Sequence, residues 1–128
     1  MRTFIEYLLL CLPLIIHFVV DLKGVVRHVL NSIYVTVLSV MVGFWLPTDF
    51  WFQGTIYALC IHFCFFDPFY NLAHEKPLFY HGTVTNPKRA ISDKMWDMMP
   101  VPYEIFIRLW ILMLGFSIYY HLDRVFNY

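Results

Sequence analysis

The sequence predicts an all-α membrane protein: four transmembrane helices, with an interfacial amphipathic helix between the third and the fourth. Three observations carry that expectation. Of 128 residues, 60% are hydrophobic and 14% are charged, and the mean hydropathy is +0.62, far from the soluble average of roughly a quarter charged. Phe 13, Tyr 9 and Trp 4 are more rings than a small aqueous core uses, and they suit a bilayer whose headgroups solvate them. Long apolar runs also recur, punctuated by glycine and proline. Lys+Arg 9 against Asp+Glu 9 gives a net charge of +0, which offers no basic surface to nucleic acid. One domain, residues 1–128, is expected.

The first run, 4–22, is interrupted from Phe4 to Val20 only by Glu6, Pro13 and His17 before it reaches Leu22. Its length of about 19 residues spans roughly 28 Å at the helical rise, close to a hydrocarbon layer of about 30 Å. A signal peptide is the competing expectation for an N-terminal run behind Arg2. Glu6 and the lack of a small-x-small cleavage site after Val20 favour a retained helix. The second run, 25–46, stops at Pro47-Thr48-Asp49, where proline removes a backbone donor. The third, 50–66, carries Trp51, Phe52, Phe63, Phe65 and Phe66 at its margins and is expected to close at Asp67-Pro68.

Between the third and fourth runs, Asn86-Pro87 offers a cap with proline at the first helical position. Ile91, Met95, Met98 and Met99 then recur opposite Lys88, Arg89, Asp93 and Lys94. Residues 86–99 read as a helix lying on the membrane with Trp96 at headgroup depth, or as one packed against the spans. The fourth run, 103–122, follows Pro100-Val101-Pro102. Cys11, Cys60 and Cys64 lie in apolar runs and are expected to be reduced packing residues. Gly43, Gly54 and Gly115 fall once per run, with no small-xxx-small glycine pair.

Four crossings put both termini on one side and the long 71–102 segment on the other. Lys23, Arg27, Lys76, Lys88, Arg89 and Lys94 then share the loop side against Arg2 and Arg124. The positive-inside rule turns the loop side to the cytoplasm and both termini outward. A bacterial inner membrane is the expected location, with a mitochondrial inner membrane as the alternative.

Ionisable groups in a span cost about 2.5 to 3.5 kcal/mol at its centre, less near its ends. His17, Asp21, His28, Asn31, His62, Asp67, Asn71, Glu104 and Arg108 all fall toward the loop side of their spans. His17 and Asp21, Asp67 and Asn71, and Glu104 and Arg108 each stand at i, i+4, one helix face apiece. Imidazoles and carboxylates suit zinc, manganese or iron. The candidate metal ligands are therefore His17, Asp21, His28 and Asp67, supported by His62, Asn71 and Glu104, with Arg108 to orient a phosphate oxygen. Each residue also has a plainer role. Asp67-Pro68 can cap a helix, Glu104 can pair with Arg108, and His17 can bond a carbonyl freed by Pro13. The histidines at one level also admit a proton-handling role. On the far side Glu6, His121, Asp123 and Arg124 need only snorkelling.

Phe66-Asp67-Pro68-Phe69-Tyr70-Asn71, then Pro77-Leu78-Phe79-Tyr80-His81-Gly82-Thr83, resembles a group of small polytopic membrane proteins of Bacteroidetes-type phages and prophages. The resemblance covers about half the chain and implies no established activity. It extends to an H-x-x-x-D near the end of the first span, here His17 and Asp21, and to a later Asp matched by Asp93. The extra residues from Val84 to Ala90 depart from the compact spacing to that Asp. Pro77 to Thr83 is also expected to turn back on the membrane surface, with Gly82 at positive φ, as a lid or as a surface anchor.

Two functions stay open at this level. The one the sequence favours is a membrane protein that binds or modulates a membrane-protein partner, or itself as a homo-oligomer. The other is a metal-dependent hydrolase or transferase acting on a lipid phosphate.

Overall fold

The computed structural model describes residues 2–22, 28–81 and 91–126. Their backbone is helical with connecting turns, and no strand occurs among the described residues. The helices are α1 (Arg2–Leu22), α2 (His28–Trp45), α3 (Trp51–Ala73), α4 (Ile91–Trp96) and α5 (Val101–Phe126). Three stretches are long and apolar enough to cross a membrane: Phe4–Asp21, Trp51–Ala73 and Val101–Leu122. In α2 the apolar part is the shorter Leu30–Trp45, and the start of the run expected there lies outside the described residues. The first turns of the expected 86–99 helix do as well, and α4 is what is described of it.

The third helix does not close at Asp67-Pro68. It runs on to Ala73, with Pro68 inside it, so Asp67 and Pro68 are not a cap. Proline leaves the carbonyl four residues earlier, that of Cys64, without its helical donor. Arg108 of α5 supplies one instead, donating from Nη1 to the Cys64 carbonyl at 3.3 Å and to the Phe63 carbonyl at 2.6 Å. A proline deep in an apolar helix is tolerated where a neighbouring helix meets the freed backbone group in this way.

α3 is the hub, packed against α1, α2 and α5. Its contact with α2 is closest near the Pro47 turn. A Cβ on Gly54 would lie 3.1 Å from the Gly43 Cα and 2.7 Å from Leu46 Cδ1, and one on Gly43 would overlap Thr55 Oγ1 and the Trp51 carbonyl. The glycines that form no motif along one helix thus pair across two, because close backbone approach needs one small residue from each side. Leu10, Leu14, Val42, Leu46, Tyr57, Ala58, Ile61 and Tyr119 make the buried core. Outside it, apolar side chains face outward. Phe4, Phe44, Trp110 and Met113 are more than half exposed, and only 17% of the α5 apolar window is buried. Lipid is the solvent that suits such a surface.

Polar groups mark both ends of the bundle. At one end Tyr120 donates to the Tyr7 hydroxyl at 2.8 Å, and the Tyr119 hydroxyl meets Glu6 at 3.4 Å. Buried Gln53 accepts from the Phe50 backbone N–H at 3.1 Å and donates to the Ile118 carbonyl at 3.3 Å, tying the start of α3 to α5. Glu6 therefore pairs within the bundle instead of snorkelling. The other end carries the expected polar layer.

Candidate metal centre

The polar layer divides into two clusters on different sides of α3. His62 and Phe66, four apart, face α1, while Asp67 lies about 100° further round the helix and faces α5. The set His17, Asp21 and Asp67 is therefore not brought together, and the His28 side chain lies outside the described residues.

The first cluster joins α1, α2 and α3. His17 Nδ1 lies 2.7 Å from His62 Nε2, and His17 Nε2 lies 3.3 Å from Asp21 Oδ2. Asn31 donates to Asp21 Oδ1 at 2.9 Å. The His17 ring stacks on Phe66 with centroids 3.9 Å apart. His17 thus meets Asp21 along its own helix and His62 and Phe66 across the interface with α3.

The second cluster joins α3, α5, α4 and the turn after α3. Glu104 and Arg108 form the expected i, i+4 pair, with Arg108 Nε donating to Glu104 Oε1 at 2.9 Å. Nη2 contacts the same oxygen at 2.9 Å and donates to Asp67 Oδ2 at 3.0 Å. With Nη1 on the two α3 carbonyls, every N–H of the guanidinium has an acceptor inside the protein. Arg108 holds the site together and has no donor left for the phosphate oxygen expected of it.

Asn71 explains how the next ligand arrives. Its amide donates to the carbonyls of Leu78 at 3.0 Å and Tyr80 at 2.8 Å, while its own carbonyl accepts from Lys76 N at 2.9 Å. Glu75, at φ 55, turns the chain just after α3, while Gly82 of the expected Pro77 to Thr83 turn lies outside the described residues. The turn so clamped brings His81 into the bundle, where Nε2 lies 2.8 Å from Glu104 Oε2. Asn71 is a clamp for the chain, and its amide is committed to it.

Trp96 follows the second of the two readings, a helix packed against the spans. It is buried and turned inward, its ring 4.7 Å from the Arg108 guanidinium, because a desolvated cation is stabilised by an indole face. Phe63 flanks the same guanidinium at 5.6 Å. Met95 and Met98 are exposed, as are Lys94 and Asp97, so neither of these two methionines packs against the spans.

The result is a possible metal-binding triad. Asp67, His81 and Asp93 can each offer one ligand atom, all within 4.8 Å of one another. They come from α3, the clamped turn and α4. Among the described residues they are the one such group. The side chains of His81, Glu104 and Arg108 are at most 5% exposed, while that of Asp67 is 34% exposed, so the cluster opens on the Asp67 side. No family model, curated protein or solved structure matches this chain. The residues alone carry the reading.

Asp67 belonged to the expected ligands, Asp93 was matched only through the family resemblance, and His81 was missed as a ligand. Residues 67, 81 and 93 share no helical spacing, so periodicity has no means of joining them.

Proposed function

We propose that this chain is a polytopic membrane protein that holds a divalent cation at the loop end of its helix bundle and uses it on a phosphate ester of a lipid headgroup, as a hydrolase or transferase. The observation that carries the reading is the convergence of Asp67, His81 and Asp93 from three separate segments to within 4.8 Å. Two carboxylates and an imidazole suit zinc, manganese or iron. A cation so bound supplies a Lewis acid for a phosphoryl oxygen and lowers the pKa of a bound water. The protein's own share is positional: Arg108 aims Asp67, Glu104 aims His81, and Trp96 covers the guanidinium against water. The exposed side of Asp67 is where a headgroup enters.

With α2 completing a fourth crossing, both termini lie on one side and the site on the other. The excess of lysine and arginine on the loop side assigns that side to the cytoplasm. The outward faces of α5 are left to lipid, or to a membrane partner lying against them.

Metal analysis of detergent-purified protein tests the reading. Wild type should carry about one equivalent of metal. Asp67→Ala and His81→Ala should lose it, and His17→Ala, in the other cluster, should keep it. Wild type should release inorganic phosphate from vesicles containing phosphatidic acid, a phosphate monoester, and His81→Ala should not. Equal metal content in wild type and His81→Ala would refute the site.

A further inference from the structure

We infer that Glu104 is the positioning residue of this centre and that it makes Nδ1 the nitrogen through which His81 binds the cation. The inference rests on the metal-centre reading above. Its geometric basis is a division of labour within one buried carboxylate. Oε2 takes His81 Nε2 at 2.8 Å, and Oε1 takes Arg108 Nε at 2.9 Å and Nη2 at 2.9 Å. Arg108 Nη2 in turn holds Asp67 Oδ2 at 3.0 Å. One side chain thus orients two of the three ligands, one directly and one through a guanidinium.

The chemistry that follows concerns the position of a hydrogen. A carboxylate accepts and does not donate, so the imidazole beside it carries its hydrogen on Nε2. In the neutral ring the lone pair is then on Nδ1, and a metal takes the nitrogen that bears the lone pair. A carboxylate on the far nitrogen also raises the basicity of the ligating one and fixes the ring plane. The i, i+4 spacing of Glu104 and Arg108, which alone reads as an ordinary helix ion pair, has a second use here. The pair transmits the register of α5 to ligands on α3 and on the turn.

The test is zinc binding and the nitrogen signals of His81 in the Glu104→Gln variant. Glutamine keeps the shape of glutamate but has one oxygen. With that oxygen taken by Arg108, its amide NH2 faces His81 and asks Nε2 to accept, which moves the ring hydrogen to Nδ1. The zinc-loaded wild type, labelled with nitrogen-15 at histidine, should show His81 ligating through Nδ1 with a hydrogen retained on Nε2. Glu104→Gln should bind zinc about 10 to 100-fold more weakly. A role in packing alone would leave both readouts unchanged. Ligation through Nε2 in wild type would overturn the inference even if Glu104→Gln failed to fold, and so would wild-type affinity in Glu104→Gln. If zinc instead binds independently of Asp67, His81 and Asp93, the centre itself fails and the role of Glu104 falls with it. That outcome is recognised by the His81→Ala control, irrespective of what Glu104→Gln does.

Discussion

Arg108 occupies the place of the hydrogen-bond donor that Pro68 lacks. The carbonyl of Cys64, four residues before the proline, accepts from Arg108 Nη1 at 3.3 Å, and the Cys64 thiol answers by donating to the Arg108 carbonyl at 2.9 Å. A break in one helix is thereby turned into a contact with another.

That relationship predicts a coupling. Arg108→Met leaves Glu104 and Asp67 without their cation and should destabilise the protein by about 3 to 5 kcal/mol. In a Pro68→Ala background the loss should be smaller, since the helix regains its own donor, with a coupling energy of about 0.5 to 3 kcal/mol. Reversible unfolding in mixed detergent micelles measures all four corners of the cycle.

The two histidines of the other cluster should be coupled as well. His17 Nδ1 and His62 Nε2, 2.7 Å apart, share one hydrogen between them. His62→Leu leaves a buried nitrogen of His17 without this partner and should cost about 1 to 3 kcal/mol. His17→Leu with His62→Leu should cost less than the two single losses combined, as the same unfolding measurement will show.

Much of the fold is legible in the sequence because apolar length and proline punctuation act locally. The three longest helices fall on the runs read as the first, third and fourth spans, and the i, i+4 pairing of Glu104 with Arg108 is present as spacing implies. The miss at Asp67-Pro68 has a non-local cause: the group that rescues Pro68 stands forty residues downstream, on another helix. His81 escaped for a related reason. A histidine in a polar turn is ordinary until Asn71 folds that turn against α5, and Trp96 reads as an interfacial ring until Arg108 supplies a cation for its face. His17, Asp21 and His62 were gathered at one depth correctly, but depth says nothing of which side of α3 a residue takes.

Asn71→Leu should separate folding from metal binding. The substitution keeps volume in α3 but releases the Leu78 and Tyr80 carbonyls, so His81 loses its fixed approach. Helical content by circular dichroism should hold, zinc affinity should fall by about 10-fold or more, and limited proteolysis should cut faster between residues 74 and 81.

Gly43→Ala should be the most disruptive of the small substitutions. The added methyl meets the Trp51 backbone carbonyl as well as Thr55 Oγ1, and backbone moves less readily than a side chain. A loss of about 1 to 3 kcal/mol is expected. Gly115→Ala, which meets the Cys60 side chain at 2.8 Å, should cost less; thermal unfolding in detergent compares the two.

The central position of α3 carries a consequence for biosynthesis. The ribosome delivers α1 and α2 before their hub, so during that interval His17 has neither His62 nor Phe66 to meet, while Asp21, Asn31 and Tyr34 can already join it. The partners of Asp67 arrive later still, with the last helix. Until α5 is made the nascent chain therefore keeps its most polar surfaces unburied, and the Asp67 cluster closes only once that helix joins α3.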